Sequence, residues 1–381
     1  MRSFRPAFLL LGTLASGLIV ISPASAKTAE AQPFETAVTT FYGEDFRAHP
    51  IAATRVGVHD YDAELDDLSQ EGQAAEAARL HKALEAFTAI DPAKLSQVDR
   101  DDRDVLINEI KARLLDVETI RDWRKNPGLY SQSATTAIFA LVHRDFAPLA
   151  DRLRSVTARE RLIPAMLANG KANVEHPPLA FVELAIRNIS GSINFLKSGV
   201  PAAFAAVQDD ELKREFAAAN DAAIAAFESF RTYLEQELKP KADGQFALGP
   251  ELFAKRAAYS DMVDIAPERL LEIAYAQLHK DRSALAEAAR EIDPTKPVEA
   301  VLKQVRAQHP SADALIPTAT DDLAGLRAFV QDHHIATIPS DLLPQVEETP
   351  EFRRATTAAA LDAPGALETR ATQAFYYVTP P

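Results

Sequence analysis

The sequence contains no cysteine. That absence removes disulfides, iron–sulfur clusters and thiolate zinc sites together. It also removes a lipid anchor, which needs a cysteine after the leader. Glycine is sparse, with 13 residues in 381. None of it forms a Gly-x-Gly-x-x-Gly turn, a Walker loop or a Gly-x-Ser-x-Gly elbow. Positive charge is in deficit: 41 Lys and Arg stand against 55 Asp and Glu, for a formal charge of -14. A chain this acidic repels phosphate backbones and anionic lipid surfaces, so neither is expected as a partner.

The nine histidines are as informative for what they do not spell. None opens a His-Glu-x-x-His helix, which would put two imidazoles and a base on one face, and none follows a Glu at three residues. His81 and Glu85, four apart, read as a solvated pair. His333-His334 diverge too far to share one ion and suit a helix C-terminus, where imidazolium complements the dipole. His59-Asp60-Tyr61-Asp62, with Asp66-Asp67 behind it, is the densest polar cluster. It lacks the Gly and terminal Glu of a calcium loop and reads as a turn with Asx caps. The charge run from Asp99 to Asp104 belongs to a helix start. Ser190-Gly191-Ser192 reads as a local helix break. No catalytic, cofactor-binding or metal-ligating residue is assigned.

What the chain does have begins at its N-terminus. Arg2 and Arg5 precede an uncharged apolar run from Ala7 to Ile21. Pro23 and Ala24-Ser25-Ala26 then supply a signal-peptidase site. Residues 1–26 are predicted to be a signal peptide, cleaved after Ala26, and the destination periplasmic or secreted. The run is too short for a stable membrane anchor, which needs about 20 residues. Residues 27–33 are predicted to be a flexible lead. Residues 34–381 then form a single domain.

That domain reads as mainly α, a multi-helix body with a small extended or β part near the C-terminus. Alanine is abundant and β-branched runs are few. Helices are predicted over 34–48, 70–89, 131–142, 145–168, 178–197, 208–238, 266–291, 297–307 and 320–332. Another is opened by Ser96-Gln97-Val98-Asp99 as a capping box, with Leu106, Ile110, Leu114 and Val117 as its stripe. His49-Pro50 is predicted to end the first helix, residues 51–69 to be an Asp-rich loop, and Asn126-Pro127-Gly128 a helix stop. After Ala336 the chain turns Pro-rich and extended. Ala374-Phe375-Tyr376-Tyr377-Val378 is β-prone.

Five stretches, in order, carry a resemblance: HPIAATRVGVHDYDAELDDLS (49–69), WRKNPGLYSQ (123–132), LANGKANVEHPPLAFVELAI (167–186), DLLPQVEETPEFRR (341–354) and AFYYVTPP (374–381). Together they resemble the bacterial family called domain of unknown function 885 (DUF885). The resemblance implies an exported, mainly helical, zinc-metallopeptidase-like protein. The family's metal motif, His-Glu-x-x-Pro-Gly-His, lies downstream of the stretch resembling 374–381, so no residue here inherits a ligand or the general base. The expectation is therefore an incomplete zincin-like architecture, truncated before its catalytic segment and inactive alone. Zinc is expected only for full-length members, and none in this chain. A separately encoded C-terminal half would be the partner, and peptides the substrates. Phe375, Tyr376 and Tyr377 are then predicted to form a substrate-cleft strand, an unpaired edge open to a peptide by strand addition. The competing expectation is a non-enzymatic helical binding protein of the cell envelope.

Overall fold

The computed structural model describes residues 31–338, 342–370 and 373–380. The predicted signal peptide and its expected cleavage site lie outside the described residues. In chain order the helices are α1 (Ala31–Ala48), α2 (Pro50–Val56), α3 (Gln70–Thr88), α4 (Gln97–Leu114), α5 (Pro127–Val142), α6 (Leu149–Asn173), α7 (Leu179–Asn194), the short α8 (Val200–Ala203), α9 (Asp210–Tyr233), α10 (Pro250–Ser260), α11 (Pro267–Ile292), α12 (Val298–Arg306) and α13 (Leu315–Asp332). Three strands follow: β1 (Gln345–Glu348), β2 (Ala359–Asp362) and β3 (Phe375–Val378).

The caps explain several starts. Ser96 accepts from the Asp99 amide at 3.1 Å and opens α4 as expected. Asn126-Pro127-Gly128 does the reverse of its sequence reading. Asn126 accepts from the Gly128 amide at 3.1 Å and Pro127 occupies the first turn, so the triplet starts α5. His49-Pro50 likewise opens α2 inside the predicted loop, because a proline at the first helical position forfeits no hydrogen bond. α10 and β2 were not predicted.

The main core lies among α5, α6, α7 and α9. Ile138 and Leu141 meet Leu153, Val156, Ile163 and Leu167, and the aromatic stripe Phe216, Phe227 and Phe230 of α9 closes the bundle. A second core joins α1, α3 and α4 through Phe34, Phe41, Leu80, Phe87, Leu106 and Ile110. Arg159, completely buried on α6, ties the first core to α2 and the loop after it. Its guanidinium donates to the carbonyls of Glu64 (2.9 Å), Ala137 (2.8 Å) and Pro50 (3.1 Å) and to Thr54 Oγ1 (2.7 Å). Burial lowers its pKa to about 10, so it remains a cation in the interior.

Helices α4, α7 and α9 each run into a π-helical turn, at 115–120, 195–199 and 234–238. Such turns free carbonyls from the helical ladder. Trp123 Nε1 takes up Val117 O at 3.1 Å and Asn220 Nδ2 takes up Leu196 O at 3.0 Å.

The sheet order is β1-β3-β2, with β3 parallel to β1 and antiparallel to β2. This corrects the expectation of an unpaired edge at 374–378. Both hydrogen-bonding sides of β3 are taken, by Gln345–Glu348 and Ala359–Asp362, so no peptide can add to this strand. α13 packs on this sheet, α10 packs on α4, and α11 packs with α12.

Candidate functional site

The sheet is held against the bundle by aromatic rings. Phe375 and Tyr377, which share one face of β3, are buried, while Tyr376 points to the other face and is half-exposed. The three predicted cleft residues therefore divide. Phe375 and Tyr377 join Phe139 of α5 and Phe352 in a small cluster. Phe352 arrives on a single 3-10 turn, Glu351–Arg353, laid across α7. Gly191 permits that approach: a Cβ there would stand 2.5 Å from the Phe352 amide nitrogen. The predicted helix break is thus a continuous helix with a notch in its surface.

Polar groups converge on the cluster. His143, at the C-terminal end of α5, hydrogen-bonds through Nε2 to the Tyr377 hydroxyl. Its ring lies against Phe139 at 4.7 Å and Phe375 at 3.8 Å between centroids. Burial, with the charges of Arg144 and Arg353 adding to it, lowers the His143 pKa to about 4. The imidazole is therefore neutral at pH 7. Burial also raises the Tyr377 pKa far above its usual value, so the phenol keeps its proton and donates it to Nε2. Glu347 of β1 stands 4.0 Å from the same nitrogen, its pKa raised by burial. Arg144 pairs with Asp362 of β2 at 2.9 Å and its Cζ lies 5.9 Å from the Phe375 ring. Arg353 covers Phe139 at 5.0 Å and Phe352 at 5.5 Å. Chemically this is a Tyr–His hydrogen-bonded pair with a carboxyl beside it and guanidiniums around it. It can accept, relay or orient a proton and can face an anion.

Sequence reasoning found Phe375, Tyr376 and Tyr377 but missed their polar neighbours. His143, Glu347, Arg353 and Asp362 are scattered over 220 residues and share no local pattern.

The predicted His59 cluster is organised by a long-range contact. His59 Nδ1 donates to Asp62 at 2.9 Å, Nε2 lies 3.4 Å from Glu368, and the ring stacks on Phe146 at 3.9 Å. Burial opposes ionisation there, yet the bond to Asp62 prevails and raises the His59 pKa. Close approach of the backbone makes this possible. Gly57, at φ 95°, lies under Glu368, and Gly365 lies under Val56. His81 pairs with Glu118 at 2.8 Å across two elements rather than with Glu85. His333 caps α13, as expected of a helix C-terminus.

Among the described residues one group of three could converge on a metal ion: Asp45, His49 and Glu76. The donors suit a metal in kind, but the space between them is filled. Arg113 Nη2 already occupies its centre, 2.8 Å from Asp45, 2.6 Å from Glu76 and 3.4 Å from both His49 nitrogens. Arg79 adds a second guanidinium, 2.7 Å from Asp45. Burial works against the Asp45 charge, but the bonds from His49 and Arg113 hold its carboxyl far below the usual range. This is a half-buried ion-pair network with its positive charge built in.

A separate open groove of about 880 Å³ runs between α1 and α3, floored by Phe41, Ala83 and Phe87 and rimmed by Glu44 and Lys82. It shares no residue with the His143 cluster. No described helix is long and apolar enough to cross a membrane.

A mainly helical body carrying a small C-terminal sheet, with a Tyr–His pair at their junction, defines the class. The chain belongs to the DUF885 family, described as bacterial protein of unknown function, which matches residues 50–381. A solved structure described as "a putative lipoprotein of unknown function from Shewanella oneidensis" has the same fold, with a TM-score of 0.69 and 23% identity. The match covers 93% of this chain and 65% of that one, so this chain spans about two thirds of its neighbour's length. None of the curated proteins compared matches the chain.

Proposed function

We propose that this chain is the helical, substrate-contacting portion of an exported zinc-metallopeptidase-like protein, and that alone it neither holds zinc nor cleaves peptides. The observation that carries this reading is the guanidinium of Arg113 at the centre of the single three-ligand group among the described residues. A cation there repels a metal ion, and removing it would leave Asp45 and Glu76 to share the one guanidinium of Arg79. Hydrolysis by a metal-activated water needs an open coordination position, which this arrangement does not offer. The body instead supplies a rigid base for a sheet, and the sheet presents Tyr377, His143 and Glu347 at its junction with the bundle. In the longer relatives the metal motif follows the stretch that forms β3, so this junction would lie at the entrance to that segment. Export to the periplasm or beyond rests on the leader sequence.

The test is metal analysis of the purified exported chain together with a peptide-cleavage screen. Less than 0.1 zinc per chain and no cleavage are expected. One tightly held zinc per chain would overturn the proposal. A second reading, a non-enzymatic peptide-binding protein of the envelope, is favoured by the apolar groove between α1 and α3. A peptide that binds with the groove's Phe41 and Phe87 protected would support it.

A further inference from the structure

The aromatic junction carries more positive charge than it needs for folding. Arg353 is half-buried, yet among the described residues its guanidinium makes no hydrogen bond and no ion pair; it only covers Phe139 and Phe352. Arg144 pairs with Asp362 and donates to the carbonyls of Asp362 and Ala363, but its Nε is buried without an acceptor. Arg55, at the end of α2, is exposed and adds a third charge at the rim. Asp362 pairs with Arg144 and its charge also acts on Arg353, while Glu347 stands on the His143 side of the junction. Guanidiniums arranged around one acid, with donors left over and water partly excluded, are arranged to receive an oxyanion. The surrounding rings of Phe139, Phe352 and Phe375 favour an anion attached to an apolar group over a fully hydrated one.

We propose that Arg353, Arg144 and Arg55 form a carboxylate-binding site beside the Tyr377–His143 pair, and that its ligand is the C-terminal carboxylate of a short peptide ending in an apolar residue. The peptide as ligand class rests on the peptidase-like reading; the oxyanion site does not. Burial lowers the Arg353 pKa, and the charges of Arg55 and Arg144 lower it further while Asp362 and Tyr377 act against them. A bound carboxylate would relieve that repulsion. Arg353 would take it on the face away from the rings, and the charge of Arg144, held beside Asp362, would add to the attraction. The tyrosyl hydroxyl, already engaged with a neutral histidine, stands on the same aromatic cluster.

The experiment is calorimetric titration of the purified chain with N-acetyl-Ala-Ala-Phe as the free acid and as the amide, with inorganic phosphate as a third probe. The free acid is expected to bind, and the amide at least about tenfold more weakly, the scale of a lost charge-assisted pair. Arg353→Gln should weaken the free acid by a similar factor. Arg55→Gln, at an exposed position the fold tolerates, should weaken it severalfold with an unchanged melting temperature. Equal binding of acid and amide, no binding of either, or full affinity in both variants would overturn the proposal. Phosphate binding as tightly as the peptide acid would overturn the assignment to carboxylates. Zinc content and peptide cleavage, read on the same sample, report on the peptidase-like reading separately, so either idea can fail without the other.

Discussion

Glu160 should make the protein less stable as pH rises, and its replacement by Gln should abolish that loss. The residue lies on α6, on the buried stripe that includes Val156, Ile163 and Leu167, and is completely buried. Neither carboxyl oxygen has a hydrogen-bond partner among the described residues. Burial alone pushes its pKa from 4.5 up to about 8. Below pH 4.5 the carboxyl is protonated in both folded and unfolded chains, and ionisation contributes nothing. Between 4.5 and 8 the unfolded chain releases the proton while the folded chain keeps it, so stability falls by about 1.4 kcal/mol per pH unit. The cumulative loss is about 3 kcal/mol at pH 7 and about 5 kcal/mol by pH 8, where it levels off. Pro164, four residues on, removes the amide that would bond the Glu160 carbonyl, so this turn of α6 is weak in its backbone as well. Denaturant unfolding of the wild type and Glu160→Gln at pH 5, 6, 7 and 8 measures the effect. The gap between them should widen by about 1 kcal/mol per pH unit. Other titrating groups, His49 and His59 included, cancel in the difference. A gap that stays constant across that range would show that the carboxyl is solvated or paired, and the reasoning would fail.

Two further outcomes follow from close packing. Arg159→Ala removes five donated bonds and opens a cavity between α2, α5 and α6, and should cost about 3 kcal/mol or more in denaturant unfolding; a loss under 1 kcal/mol would show that the buried cation does not stabilise the fold. Gly191→Ala places a methyl 2.5 Å from the Phe352 amide, and should cost about 1–3 kcal/mol while weakening peptide-acid binding through the displaced Arg353; unchanged stability and binding together would count against that contact.

Local chemistry made the helices legible. The Ser96 cap and the Leu106, Ile110, Leu114 part of the stripe needed only neighbours within one or two turns and stand as read. Val117, the last residue of the predicted stripe, falls in the π-helical turn outside the buried core. Proline was harder, because it both ends and begins helices. At Pro50 and Pro127 the residue before it supplies a start, and nothing in the dipeptide alone decides the direction. α10 escaped notice because it is 11 residues long and its Leu252 and Phe253 are too few to mark a helical stripe. β2, Ala-Ala-Leu-Asp, has little strand propensity of its own. It is a strand because it pairs with Phe375–Val378. Glu160 did leave a signal, a charge on an otherwise apolar i, i+3, i+4 stripe.

The candidate site was illegible for a different reason. Its two halves are built by separate rules. The aromatic half follows strand alternation, which puts Phe375 and Tyr377 on one face and could be anticipated. The polar half depends on where α5 ends, on which 3-10 turn crosses Gly191, and on which strands flank β3. Those are tertiary facts, and they change what the strand can do. A free edge would bind a peptide through its backbone. A central strand, paired on both sides, can meet a ligand only through side chains. Recognition at this strand, as proposed above, would therefore come from Tyr377, His143 and the arginines around them. A ligand that engages the junction should be selected by its charged terminus rather than by its length.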